Sequence, residues 1–184
     1  MQLSDSNKSY LLNLARYAIE SQLSFTSMPK PRYEEEIYKF KAGVFVTLTI
    51  KGELRGCIGT IEARDTIENS VIFNAVNAAF YDPRFEKLSR EELKQIKIEI
   101  SILSEPTNLI YITPEDLLKK LNGQGIILAY NKNKALFLPQ VWEDLPKKED
   151  FLSHLCLKAG ISKDSWKTKK LTIKQFTVDS FEEE

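Results

Sequence analysis

Between Leu11 and Leu23 the apolar residues Leu11, Leu12, Leu14, Ala15, Ala18, Ile19 and Leu23 return at the spacing of one helix face, and Ser4, Asp5 or Ser6 can cap the first turn. The stretch from Ser24 to Ala42 carries Pro29, Pro31 and the acidic run Glu34 to Glu36, which predicts a surface connection. The period then changes. Val44 to Ile50 is rich in β-branched and aromatic residues, Lys51-Gly52 offers a turn, and Leu54 to Ile61 resumes as a second strand, so the pair reads as a hairpin. Thr66 caps a helix carrying Ile67, Val71, Ile72, Ala75, Val76 and Ala79, which Asp82-Pro83 stops. Ser89 and Glu92 make a capping box for a short helix, after which Ile96, Ile98, Ile100 and Ile102 alternate with Lys97, Glu99 and Ser101 as a half-buried strand.

Thr113 before Pro114 and Glu115 opens another helix, running to Leu121 and closed by Asn122-Gly123. Gly125 to Tyr130 and Ala135 to Leu138 flank the polar turn Asn131 to Lys134 as a second hairpin. A helix from Lys148 to Ala159 ends at Gly160, and Leu171 to Phe181 reads as one last strand before an acidic tail. Helices and strands alternate through hairpins rather than βαβ crossovers. The fold class is therefore α+β, with a mainly antiparallel sheet flanked by helices.

Composition narrows this picture. At 184 residues, with 42% hydrophobic and 28% charged, the chain is long enough for one compact domain over 1–184 with a small subdomain. Its 26 basic and 26 acidic side chains balance, which excludes a global field drawing in nucleic acid or anionic membrane. Two cysteines, Cys57 and Cys156, make neither a disulfide framework nor a four-cysteine zinc site, and Cys57, His154 and Cys156 lack compact ligand spacing, so no metal is expected. The start MQLSDSNKSY lacks the basic-then-apolar layout of a signal peptide, and no apolar run approaches the roughly 20 residues of a membrane span. A cytoplasmic protein without membrane association is expected. The segment from Lys147 to Lys174 holds eight lysines against Glu149, Asp150 and Asp164, with Trp166 and Phe176 interspersed as candidates for base stacking. Binding of nucleic acid is expected to be weak and carried by those lysines.

The candidate chemistry gathers at Leu54-Arg55-Gly56-Cys57-Ile58-Gly59-Thr60-Ile61-Glu62. Two of the seven glycines of the chain fall three apart inside a strand, where glycine weakens the strand unless a bulge or a close backbone approach needs it. On a straight strand Arg55, Cys57 and Gly59 share a face, so the cation would stand beside the sulfur and favour its thiolate. Cys57 thus reads either as a nucleophile on the wall of a cleft opened by Gly56 and Gly59, or as a small buried cysteine at a bulge. His154, the one histidine, is either an acid–base partner of Cys57 met only in the fold or a structural residue. It points away from Cys156, two residues on along a helix whose apolar side makes Cys156 core. Arg84, set by Pro83, either presents its fork to an anion or pairs with Glu62.

Leu54-Arg55-Gly56-Cys57-Ile58-Gly59 resembles the hallmark hexapeptide of the AMMECR domain family, whose prokaryotic members are also called protein A of the AmmeMemoRadiSam system. Further similar pieces follow: Gly43 to Leu48, Asp82-Pro83-Arg84-Phe85, Ile98 to Ser104, Phe137 to Val141 and Phe151 to Gly160. The resemblance implies two unequal subdomains with the hexapeptide lining a cleft between them. It implies partners of the Memo-like and radical SAM classes, and supplies no cofactor. It also leaves two readings: an enzyme component binding a small-molecule ligand through Cys57, Arg55, Gly56, Gly59 and Arg84, with Glu62 and His154 as acid–base candidates, or a non-catalytic module recognising nucleotide, RNA or protein.

Overall fold

The computed structural model describes residues 3–32 and 36–184. In chain order its elements are α1 (Asp5–Ser24), α2 (Glu36–Lys39), β1 (Gly43–Ile50), β2 (Glu53–Thr60), α3 (Ile67–Phe80), α4 (Arg90–Leu93), β3 (Ile96–Leu103) and β4 (Thr107–Asn108). Then come α5 (Pro114–Lys120), β5 (Gly125–Tyr130), β6 (Asn133–Phe137), α6 (Val141–Asp144), α7 (Lys148–Lys158), α8 (Ser165–Thr168), β7 (Thr172–Phe176) and β8 (Val178–Glu182). The chain divides into two unequal units, Met1–Ser104 with Asp179–Glu184, and Glu105–Val178. Each has an antiparallel four-stranded sheet, so the class is α+β.

In the larger unit the sheet runs β2-β1-β3-β8, and α1 and α3 pack against it. Ser4 and Thr66 cap these helices through their side-chain oxygens, and Ser89 with Glu92 closes the capping box of α4. Leu11, Ile19, Val71 and Ala75 from the helices meet Val44, Val46, Leu48, Ile98 and Ile100 from the strands in one core. The β1–β2 turn places Lys51 at φ 53° and Gly52 at φ 83°, the left-handed geometry that suits the twist of a two-residue hairpin turn.

The smaller unit orders its strands β4-β7-β5-β6. Its core holds Leu117, Ile126, Leu128, Phe151, Leu155, Cys156, Trp166 and Phe176, with Trp142 stacked on Phe151 at 3.8 Å between centroids. Trp166 and Phe176 are buried, and Trp166 Nε1–H donates to Ser153 Oγ at 3.1 Å, so neither ring is free to stack a base. That expectation is overturned by their places in the core.

Two other expectations change. The last strand is two strands: β7 belongs to the sheet of the smaller unit and β8 to that of the larger. The connection from Ser24 to Ala42 contains α2, and Tyr38 and Ala42 are buried against the larger core, while Glu34 and Glu35 lie outside the described residues. Among the described residues no helix is long and apolar enough to cross a membrane.

Candidate functional site

The hexapeptide lies on β2, the edge strand of the larger sheet. Pairing with β1 matches Leu48 to Gly56 and then Thr49 to Leu54, which leaves Arg55 as the extra residue of a β-bulge. Both reasons for glycine in a strand are met here. A Cβ on Gly56 would collide with the backbone carbonyl of Ala78 in α3, and one on Gly59 would enter the ring of Phe45 and press on the Val44 carbonyl of β1. The space the glycines leave is therefore taken up by α3, by Phe45 and by β1.

An edge strand exposes unpaired N–H and C=O groups, and side chains close them at Cys57. Its N–H donates to Asp82 Oδ2 at 2.9 Å, and Arg84 Nη2–H donates to its carbonyl at 3.3 Å. Asp82 and Arg84 are themselves joined by two charge-assisted bonds of 2.9 and 2.7 Å. The Arg84 fork holds the Asp82 carboxyl far below the ordinary carboxylate range against the opposing effect of burial, with the Cys57 N–H adding to the shift. Arg84 thus pairs with Asp82, not with Glu62, which lies two residues from Arg64 and accepts its Nε–H at 2.8 Å.

At the bulge the backbone turns Arg55 away from the sulfur. Its guanidinium closes on Glu92 at 2.8 and 3.2 Å and donates to the Glu86 carbonyl at 2.8 Å. This corrects the expectation that Arg55 stands beside Cys57, since the bulge breaks the straight-strand alternation. The bond from Arg55 lowers the Glu92 carboxyl to about 2, again against burial. Arg55 and Arg84 both lie over the ring of Phe85, at 5.7 and 5.5 Å.

Cys57 instead belongs to a row running across the sheet. Thr47 of β1 pairs with Cys57 on one side and Glu99 of β3 on the other, so the three side chains share a face, while Val46 and Leu48 turn into the core. The Thr47 hydroxyl donates to Cys57 Sγ at 3.3 Å. One row further along, Phe45 pairs with Gly59 and Ser101, whose hydroxyl donates to Glu99 Oε1 at 3.2 Å and meets Ser180 Oγ at 2.7 Å. Cys57, Thr47, Phe45 and Glu99 are all half-buried.

This domain-wide arrangement has relatives. The sequence profile of the AMMECR1 family matches residues 12–181. The chain belongs to the AMMECR1 family. It is 38% identical over 174 residues to a protein of Methanosarcina acetivorans, covering 89% of this chain and 85% of that one. A Nanoarchaeum equitans protein is 36% identical over 178 residues, covering 95% of this chain and 99% of its own length. Among solved structures, an uncharacterized protein from Pyrococcus horikoshii superimposes with a TM-score of 0.88 at 32% identity, over 100% of this chain and 95% of that one.

Of the remaining candidates in this AMMECR1 chain, Glu62 follows β2, and His154 and Cys156 belong to the smaller unit. Glu62 is exposed in the loop after β2, beside a depression of about 240 Å³ lined by Thr60, Ile61, Glu62 and Arg64. His154 is exposed on α7 of the smaller unit, where Nδ1–H donates to the Asp150 carbonyl one turn back at 2.8 Å. Cys156 is fully buried in that unit, and burial pushes its thiol up. The sequence reading missed Thr47 and Glu99. Strand alternation flags both as outward-facing, but only the pairing register puts Thr47 beside Cys57 and Glu99 one strand beyond Thr47 in the same row.

Proposed function

We propose that this AMMECR1 domain binds a small ligand on the sheet face that carries Cys57, Thr47 and Glu99, as a binding component of a larger modification system. Supporting this reading is one observation: the half-buried Cys57 is fixed through three of its groups, its N–H by Asp82, its carbonyl by Arg84 and its sulfur by Thr47. An edge strand needs only its backbone groups covered, so fixing the sulfur as well suits a thiol presented to something outside the chain. The hydroxyl that meets the sulfur is a donor without the basicity to activate a nucleophile, which favours contact over covalent catalysis. Arg55 and Arg84, each closed on a carboxylate, serve in this reading as braces of the strand.

The test is a thermal-shift screen of polar metabolites, followed by alkylation of Cys57 with iodoacetamide in the presence of each hit. A compound that raises the melting temperature, slows alkylation of Cys57 and loses both effects in Thr47→Val supports the site. Compounds that stabilise the protein while leaving Cys57 alkylation unchanged would place binding elsewhere and defeat the reading.

A further inference from the structure

We propose that β8 is a latch held by charge: it lifts from the edge of β3 while the rest of the larger unit stays folded, and in place it guards that edge against strands of other chains. What holds β8 differs from what holds its neighbours. It is the one strand of its sheet without a buried residue, and Phe181 packs against the core only half-buried. Charge supplies what burial does not. Asp179 pairs with Lys8 at 3.2 Å, Glu182 with Lys97 at 3.0 Å and Glu183 with Arg16 at 2.6 Å. Successive side chains alternate between α1, which carries Lys8 and Arg16, and β3, which carries Lys97 and Ser101. Lys8 also lies over the Phe181 ring at 5.6 Å, and Ser180 Oγ meets Ser101 Oγ at 2.7 Å.

Glu183 is the fastening. Its N–H donates to the Ile98 carbonyl at 3.0 Å, and its carboxylate takes the Ile98 N–H at 2.9 Å while Arg16 grips it through Nε and Nη2. Arg16 is fixed in turn by the carbonyls of Leu93 and Ile96, both at 3.0 Å. The socket is thus built from groups outside β8 and keeps its parts when β8 leaves. So does the core, where Val46, Leu48, Ile98 and Ile100 are covered by α1 and α3. Partly exposed ion pairs are individually weak and screened by salt, and a strand fastened by them opens at a lower free energy than the strands that carry the core. Lifting β8 leaves the Ile98 N–H and carbonyl unpaired at a sheet edge, the template on which a strand of another chain adds.

Amide exchange on the full chain, read residue by residue by NMR, tests the latch. In about 0.1 M sodium chloride the hydrogen-bonded amides of β8, together with those of Glu183 and Ile98, should exchange as one group, at least about a hundredfold faster than Val46 and Leu48 in β1. Raising the salt to about 1 M shortens the Debye length from about 10 Å to about 3 Å. That should speed the β8 group a further threefold to thirtyfold, roughly the sum of its weak ion pairs, with Val46 and Leu48 unchanged. Glu183→Gln, which keeps an acceptor for Ile98 but removes the charge, should speed the group about tenfold at the lower salt and blunt its salt response. Exchange of the β8 group as slow as that of β1 would overturn the latch. An opening that ignores both salt and Glu183→Gln would overturn charge as its fastening. Protection of Ile98 that persists while Glu183 exchanges would mean fraying of the last residues alone, and overturns it as well.

Discussion

The carboxylate of Asp82 accepts the backbone N–H of Cys57 at 2.9 Å, and the same carboxylate is gripped by Arg84, whose guanidinium reaches the carbonyl of Cys57. One acidic and one basic side chain thus do at a sheet edge what a neighbouring strand does elsewhere, meeting a donor and an acceptor of the same residue. Because the Asp82 side chain is only 2% exposed, the arrangement depends on its charge being matched. Asp82→Asn is expected to cost about 2 kcal/mol in urea denaturation, while Arg84→Lys, which keeps the charge but loses the fork, should cost less.

The same carboxylates set an acid limit. Asp82 and Glu92 both titrate lower in the folded chain than the roughly 3.9 and 4.3 of unstructured Asp and Glu, Glu92 at about 2. Their contribution is complete above those unfolded values and is lost as the pH falls through the folded ones. Unfolding free energy should be flat in this respect near pH 6 and decline from about pH 4.5 toward pH 2. Glu92→Gln should reduce the slope of that decline; an unchanged slope would remove Glu92 from the account.

Gly56 and Gly59 separate two kinds of obstacle. The added methyl of Gly56→Ala meets the backbone of α3 at Ala78, which can yield only by moving the helix, so a loss of about 3 kcal/mol is expected. For Gly59→Ala the obstacles are the ring of Phe45, a side chain that can rotate, and the Val44 carbonyl, a milder backbone clash than the one at Ala78, so the loss should be smaller by about 1 kcal/mol. Equal losses in chemical denaturation would contradict the distinction.

The two thiols should react in order. Cys57 is half-buried on a sheet face, whereas Cys156 is fully buried with its thiol pushed up by desolvation. Limited alkylation at neutral pH, read by peptide mass spectrometry, should label Cys57 first.

With Trp166 and Phe176 in the core, RNA binding is expected to rest on charge alone, to be weak, and to fall steeply with salt. Changing Lys169 and Lys170 to Glu should abolish it. Titrations that show tight, salt-insensitive binding would point to a different surface.

Local chemistry made much of this protein legible in the chain itself. The side-chain oxygens of Ser4, Thr66 and Thr113 cap the helices that follow them, because a cap needs only residues three positions apart. The hairpin at Lys51-Gly52 and the alternation of Ile96 to Ile102 follow equally local rules, and the hexapeptide marked its own strand. What lay beyond the sequence depends on which strand meets which. The splitting of Leu171 to Phe181 between two sheets, the bulge that turns Arg55 toward Glu92, and the row that joins Cys57, Thr47 and Glu99 are all matters of register between distant segments. A shift of one residue would send each side chain to the other face without altering any local preference, so only the packed core, by choosing which face to bury, decides them.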